Sequence, residues 1–174
     1  MVSQTNEQAL EAAIEKALTG NCLEALAEGQ SVAEPHAVYG SKTPFFMGFA
    51  DDFDPKHAID TARFWSFLEN TQKEELEKLQ RSSDWKLKII QRYDRMVKKF
   101  GLLRILRKGL EVEDAHFTML YPLPLASSGK TIKENFQKNE FSITRQVKYN
   151  TENQLQEIDM VVFINGLPIA TLEL

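Results

Sequence analysis

The chain has 174 residues, of which 43% are hydrophobic and 26% are charged, the balance of one soluble globular domain with its own core. The formal net charge is -4, so bulk charge excludes a generally basic nucleic-acid-binding protein, and DNA binding would need a local patch. The single cysteine, Cys22, excludes an internal disulfide. The acidic N-terminal region does not resemble a signal peptide and no apolar stretch would span a bilayer, so we expect no membrane association and a cytoplasmic protein.

The first half of the chain is predicted to be mainly helical. Apolar residues from Leu10 to Leu18 follow one helical stripe that Gly20 ends. Glu7, Glu11 and Glu15 form an acidic row beside it, which needs either solvent or a cation. An irregular, aromatic-rich segment over residues 29–55 is expected to pack on the domain or meet a partner. Further helices are predicted over residues 55–68, with Asp54 as the cap, over 71–79, and from Asp84 to Gly101.

The second half changes to strand periodicity. Residues 102–106 and 117–121 are predicted to be short strands, 127–130 a loop, and 141–149 an alternating strand. A polar turn over 151–156 leads into a closing hairpin around Asn165-Gly166, a pair that favours a type I′ turn. Because helices precede strands, we predict an α+β fold with a mainly antiparallel or mixed sheet.

Two acidic residues interrupt the otherwise apolar strands of this hairpin. Asp159 begins the first strand and Glu173 closes the second. Since an unpaired carboxylate is costly in a core, two that converge suggest a divalent metal site, and their number suits Mg²⁺. The competing interpretation, favoured on spacing alone, is a strand-start Asp159 near solvent and a frayed terminal Glu173.

The register of the hairpin limits the metal hypothesis. A regular two-residue loop pairs Asp159 with Leu172, which turns the Glu173 side chain to the opposite face. A shared metal therefore requires either an odd loop, Ile164-Asn165-Gly166, or a β-bulge in one strand.

The motifs at the end of the chain resemble a known family. Arg145-Gln-Val-Lys-Tyr149, then Asp159, an apolar strand, Asn165-Gly166-Leu-Pro168 and Glu173 are similar to the nuclease core of the R (HsdR) subunit of type I restriction enzymes, within the PD-(D/E)xK nuclease superfamily. Residues 67–72, 102–109 and 139–146 resemble it too, so the likeness extends from about Phe64 onward. It implies one restriction-endonuclease-like domain over residues 1–174 that ends inside a Glu-x-Lys motif, with the Lys beyond Leu174.

The resemblance also implies roles for residues and partners. Asp159 and Glu173 would hold Mg²⁺ for DNA phosphodiester hydrolysis. Glu11 would be a third catalytic carboxylate, although a solvated acidic row is the commoner arrangement. Arg145, Gln146 and Tyr149 are candidates for DNA contact, with sheet packing an equal alternative for the last two. The methylation and specificity subunits would be partners. The ATP-driven motor would lie elsewhere, since the sequence has no phosphate-loop motif. The isolated chain would cleave little or not at all.

Other hypotheses stay open at this stage. The chain can instead be a non-catalytic docking domain of the restriction complex, with the aromatic residues between Phe45 and Phe53 as its contact surface, or a degenerate fragment. The basic run from Lys86 to Lys108 can contact phosphates, but a solvated helix face is favoured because acidic residues interrupt it. Cys22 and the scattered histidines show no ligand spacing and receive no role; the histidines are His36, His57 and His116.

Overall fold

The computed structural model describes residues 4–29, 45–150 and 156–174, and the predicted turn at 151–156 lies largely outside them. These residues form an α+β fold, as predicted, although three short strands precede the third helix. The helices are α1 (Gln4–Thr19), α2 (Leu23–Ala27), α3 (Thr61–Thr71), α4 (Lys73–Leu79), α5 (Trp85–Phe100), α6 (Leu102–Lys108) and α7 (Lys130–Phe136). The strands are β1 (Phe45–Met47), β2 (Phe53–Asp54), β3 (Ile59–Asp60), β4 (Leu110–Val112), β5 (Ala115–Phe117), β6 (Phe141–Lys148), β7 (Glu157–Ile164) and β8 (Leu167–Leu172). Among the described residues, no helix is long and apolar enough to cross a membrane.

The chain divides into two compact units, and the first, the sheet unit, combines the residues up to Arg63 with Glu140–Leu174. Its four-stranded sheet has the order β1-β6-β7-β8. Strand β1 runs parallel to β6, whereas β6, β7 and β8 are antiparallel, so the sheet is mixed. Val147, Val161 and Phe163 form a buried cluster against which Phe53 and Ile158 pack. Strand β8 is at the edge, where Pro168 is tolerated because edge strands leave backbone groups unpaired.

The second unit, the helical unit, comprises Phe64–Asn139. It contains most of α3, the helices α4 to α7, and the antiparallel pair β4-β5. Phe64, Ile89, Ile105 and Phe117 are fully buried in it. A pair of hydrogen bonds joins the residue between α3 and α4 to the residue that follows β5. The amide of Thr118 donates to Gln72 Oε1 at 2.6 Å, and Gln72 Nε2 donates to the carbonyl of Thr118 at 2.9 Å.

Helix boundaries follow caps that only partly match the sequence prediction. Helix α5 lies between Asp84 and Gly101 as predicted. Helix α3 begins at Thr61, so the predicted start near Pro55 is wrong. The reason is that Asp60 caps it, with Oδ1 accepting from the amide of Arg63 at 3.0 Å, whereas Asp54 lies in β2 and accepts from the amide of Lys56.

Two other elements correct the sequence prediction. The predicted strand at 102–106 is wrong: these residues begin α6, whose Leu, Arg and Lys residues have high helix propensity and whose Ile105 alone is fully buried. The predicted strand at 117–121 overlaps β5 only at Phe117. Helix α7 was not predicted, because its seven residues contain only two apolar positions, Ile132 and Phe136, too few to define a period.

Candidate active site

The closing hairpin turns through two residues. Asn165 and Gly166 have φ of 53° and 78°, the positive values that a type I′ turn requires, and Ile164 pairs with Leu167 across it. The Asn165 amide donates to the carbonyl of Glu140 at 2.7 Å, and the Glu140 amide donates to Asn165 Oδ1 at 2.7 Å. The turn is thus tied to the start of β6, and the alternative of an odd loop is wrong.

A β-bulge in β8 changes the register beyond the turn. Phe163 pairs with Pro168 but Val162 pairs with Ala170, so Ile169 is the extra residue. Met160 then pairs with Leu172, which places the next residues, Asp159 and Glu173, opposite each other. A regular hairpin would have turned these two carboxylates to opposite faces. The register condition for a shared metal is therefore met, through the bulge.

Asp159 reaches the end of the neighbouring strand. Its Oδ2 accepts a hydrogen bond from the backbone amide of Leu174 at 2.6 Å, directly beyond Glu173. Asp159 is half-buried on a central strand and Glu173 is exposed just past the end of β8. The contact fixes the Asp159 carboxylate beside the end of β8, next to the exposed Glu173. The amide of Leu174 was not predicted as part of the site, because backbone donors leave no trace in residue types.

Gln146 lies next to this pair of acidic residues, on the neighbouring strand β6. Arg145 pairs with Met160 and Val147 with Ile158, so Gln146 and Asp159 share the step between these pairs, although the ladder is interrupted there. Its φ is 52°, a left-handed conformation that costs a non-glycine residue about 1 kcal/mol or more and that often marks functional sites. The Gln146 side chain is exposed. Gln146, Asp159 and Glu173 thus form one row across β6, β7 and the end of β8. Tyr149 is 46% exposed, one residue past the end of β6.

Arg145 lies in the interior of the sheet unit, with 4% of its surface exposed. Its Nε donates to Glu11 Oε2 at 2.8 Å, and its Nη1 donates to Glu15 Oε2 at 3.3 Å and to both carboxylate oxygens of Glu24 at 2.9 Å. A buried guanidinium occupied by three carboxylates cannot also contact DNA. The structure therefore replaces the predicted DNA contact of Arg145 with a structural role.

Helix α1 turns its acidic row inward. Glu11 and Glu15 are buried against Arg145, whereas Leu10 on the predicted apolar stripe is 48% exposed. The cation that the row needs is thus Arg145, and the structure corrects both the solvated row and a metal-facing Glu11. Burial raises the pKa of Glu15, whose Oε1 has no hydrogen-bond partner among the described residues. The half-exposed Glu24 completes the cluster and was not foreseen, since a contact across 121 positions has no local signal.

The donor set at the hairpin suits a hard divalent cation. Within the described ranges, no group of three or more His, Cys, Asp or Glu residues is placed to hold a metal ion. Two carboxylates are too few for structural zinc, which takes four protein ligands. They fit Mg²⁺, which is commonly held by one or two carboxylates and keeps several waters or a phosphate. Asp159 and Glu173 are therefore the residues that can hold such an ion.

Other residues considered from the sequence have environments of their own. Cys22 is buried, and His116 lies 3.9 Å from Glu111 in the β4-β5 pair. His36 falls outside the described residues. Phe46 and Met47 in β1 are buried, and Phe53 packs on Phe163 with ring centroids 6.0 Å apart, so these members of the aromatic segment belong to the core.

The chain is similar to a known protein family. A family model described as type I restriction enzyme R protein N terminus matches residues 65–174, which is more than half of the chain and includes Gln146, Asp159 and Glu173. No curated protein and no solved structure matches the chain. The match confirms the resemblance seen in the sequence motifs, including its start near Phe64. The chain therefore belongs to the family of type I restriction enzyme R protein N termini.

Proposed function

We propose that this chain carries the DNA endonuclease site of a type I restriction enzyme R subunit, on a PD-(D/E)xK-like fold. The observation that carries the proposal is the bulge at Ile169, which brings Asp159 opposite Glu173 on strands that would otherwise separate them. Such bulges often lie beside active sites, where they redirect a side chain. The left-handed Gln146 next to Asp159 supports the same assignment, because backbone strain also clusters at functional sites.

Each residue of the row has a distinct task in this proposal. Asp159 and Glu173 hold Mg²⁺, which when bound activates a water and neutralises charge on the scissile phosphate. The Leu174 amide orients Asp159 by occupying Oδ2. Gln146 offers an exposed amide beside Asp159 that can donate to a phosphate oxygen or to the attacking water. Tyr149 is exposed near the same end of β6 and is proposed to contact the DNA backbone.

The proposed partners follow from family membership. An R subunit acts on DNA together with methylation and specificity subunits, and its ATP-driven motor supplies the energy for restriction. We propose that this chain takes part in that cytoplasmic assembly, with the nuclease chemistry at the hairpin.

Metal binding by the 174-residue chain tests the site directly. We expect Asp159→Asn and Glu173→Gln each to weaken Mg²⁺ binding, measured by isothermal titration calorimetry, by at least about tenfold, since each removes a charged ligand. Glu157→Gln is the matched control, because Glu157 is an exposed carboxylate on the same strand as Asp159. Equal binding by all three variants and the parent would exclude the site.

Cleavage by the intact R subunit in its complex tests the activity. We expect Asp159→Ala to lower DNA cleavage by at least about 100-fold with assembly unchanged, because metal charge stabilisation is worth several kcal/mol. Assembly is followed by size-exclusion chromatography with the partner subunits. Loss of assembly instead of cleavage would support a docking function and contradict the nuclease proposal.

A further inference from the structure

The helical unit presents a concentrated basic surface at the turn between α5 and α6. Residues 95–108 contain no acidic residue, although the whole chain has a net charge of -4. The six cations of this segment define what we term the basic turn: Arg95, Lys98, Lys99, Arg104, Arg107 and Lys108. Gly101, with φ of 78°, separates the two helices that carry them.

The charges of the basic turn are not neutralised within the described part of the chain. All six side chains are exposed, and none forms an ion pair with a described residue. The earlier cations of α5 differ, because Lys86 lies 3.7 Å from Glu69, and Lys88 lies 2.9 Å from Glu113 and 3.7 Å from Asp84. Positive charge is thus compensated at Lys86 and Lys88 and left open at the turn.

Two of these cations contact an exposed aromatic ring. Phe100 is 43% exposed, with Lys99 Nζ 4.9 Å and Arg104 Cζ 4.6 Å from its ring centroid. These two cation–π contacts therefore place Lys99 Nζ and Arg104 Cζ within about 9.5 Å of each other, and an anion bound between the two like charges would lower their repulsion. Helix dipoles favour cations in the last turns of α5 and α6 but do not account for Arg95 or Arg104.

We propose that the basic turn binds the phosphodiester backbone of duplex nucleic acid. The six cations are all exposed and are spread along two helices, so they suit an extended polyanion rather than a small anion. The basic stretch of each helix is about 10 Å long, a length over which duplex DNA carries about six negative charges. Backbone contacts of this kind fix the position of a protein on DNA without reading sequence.

This surface belongs to the helical unit and includes none of Gln146, Asp159 and Glu173. Its binding to nucleic acid therefore needs neither the metal nor the nuclease activity proposed for the hairpin. The two proposals can fail separately, provided that DNA binding is measured in the presence of a metal chelator.

The test compares two double variants of the full chain that remove the same formal charge. Binding of a fluorescent duplex of about 20 base pairs is followed by anisotropy in EDTA between about 50 and 200 mM salt. We expect Arg104→Gln/Arg107→Gln to weaken binding at least about tenfold and to reduce the salt slope by about 1.8, since each phosphate contact contributes about 0.9. Lys86→Gln/Lys88→Gln, whose lysines are already paired, should change the slope by less than about half as much.

Specific outcomes decide the proposal. It is supported if Asp159→Asn/Glu173→Gln binds duplex like the parent and if Lys98→Gln/Lys99→Gln, a second pair at the turn, repeats the loss. Equal losses in the turn variants and the Lys86/Lys88 control would overturn it, because they would show a bulk charge effect. Tighter binding to phosphatidylserine vesicles or to polyglutamate than to the duplex would also overturn it, in favour of a membrane or an acidic protein as partner.

Discussion

At the scale of single residues, Arg145 is a buried cation whose charge must be compensated by its neighbours in the sheet unit. Its guanidinium is buried and bonded to Glu11, Glu15 and Glu24, and Nη2 lies 3.5 Å from the carbonyl of Gln8. Burying a charge is tolerated only when partners compensate it, so the cluster holds α1 and α2 against β6. Removal of the cation would leave acidic side chains in the interior with no compensating charge.

We expect Arg145→Met to lower the free energy of unfolding by about 3 kcal/mol, because breaking a buried ion cluster leaves uncompensated charges. Urea denaturation at neutral pH measures the change. Lys148→Met is the control, since it removes an exposed cation from the same strand and should cost no more than about 0.5 kcal/mol. An Arg145 variant as stable as the control would show that the cluster adds nothing to stability.

At the scale of elements, the register of the β7-β8 hairpin places the candidate ligands. The bulge absorbs one residue, Ile169, between the turn and Glu173. Deleting Ile169 leaves Ala170 next to Pro168, which preserves the pairing of Val162 with Ala170 and the position of Glu173. Inserting one residue between the bulge and Glu173 would turn the Glu173 side chain to the other face of the sheet, because side chains alternate faces with a period of two.

We therefore expect Mg²⁺ binding to survive deletion of Ile169 and to be lost when one alanine is inserted between Thr171 and Leu172. Ile169 is 46% exposed on an edge strand, so its removal should leave the core intact. Calorimetry gives the binding, and circular dichroism checks that both variants fold. Loss of binding on deletion together with retention on insertion would contradict the register argument.

At the scale of the whole molecule, the family match and the sheet unit cover different residues of the chain. The match begins at residue 65, yet the sheet unit also uses β1, which pairs with β6, and the helices that supply Glu11, Glu15 and Glu24. The family match thus covers the segment that contains the candidate site. The strand β1 and the helices α1 and α2, which contact β6, lie before that segment.

Removal of residues 1–29 should therefore destabilise the sheet by about 3 kcal/mol, because it removes the charged hydrogen bonds that Arg145 makes to Glu11, Glu15 and Glu24 and uncovers the part of β6 that they cover. Hydrogen exchange at the amides of Thr144 and Met160 in the β6-β7 ladder reports the loss. Unchanged exchange after the truncation would show that the ladder does not depend on α1 and α2.

Local patterns were sufficient for several elements. The Asn165-Gly166 turn, the alternation of β6 and the boundaries of α5 at Asp84 and Gly101 were predicted because each rests on neighbouring residues. Helix α6 is predicted as a strand from the sequence because its four apolar residues form a run too short to distinguish a helical from a strand period, and α7 has only two apolar residues. The α3 cap was misplaced because Asp54 and Asp60 both precede helix-compatible residues.

The sequence by itself determined the α+β class, the hairpin, its two acidic residues and the family, since these depend on residue types at short spacing. The tertiary structure decided which carboxylates face each other. It showed that a bulge aligns Asp159 with Glu173 and that Arg145 binds Glu11 and Glu15 inside the sheet unit. The physical reason is that charge pairing and strand register join residues far apart in the chain, and their energies depend on burial that no local pattern records.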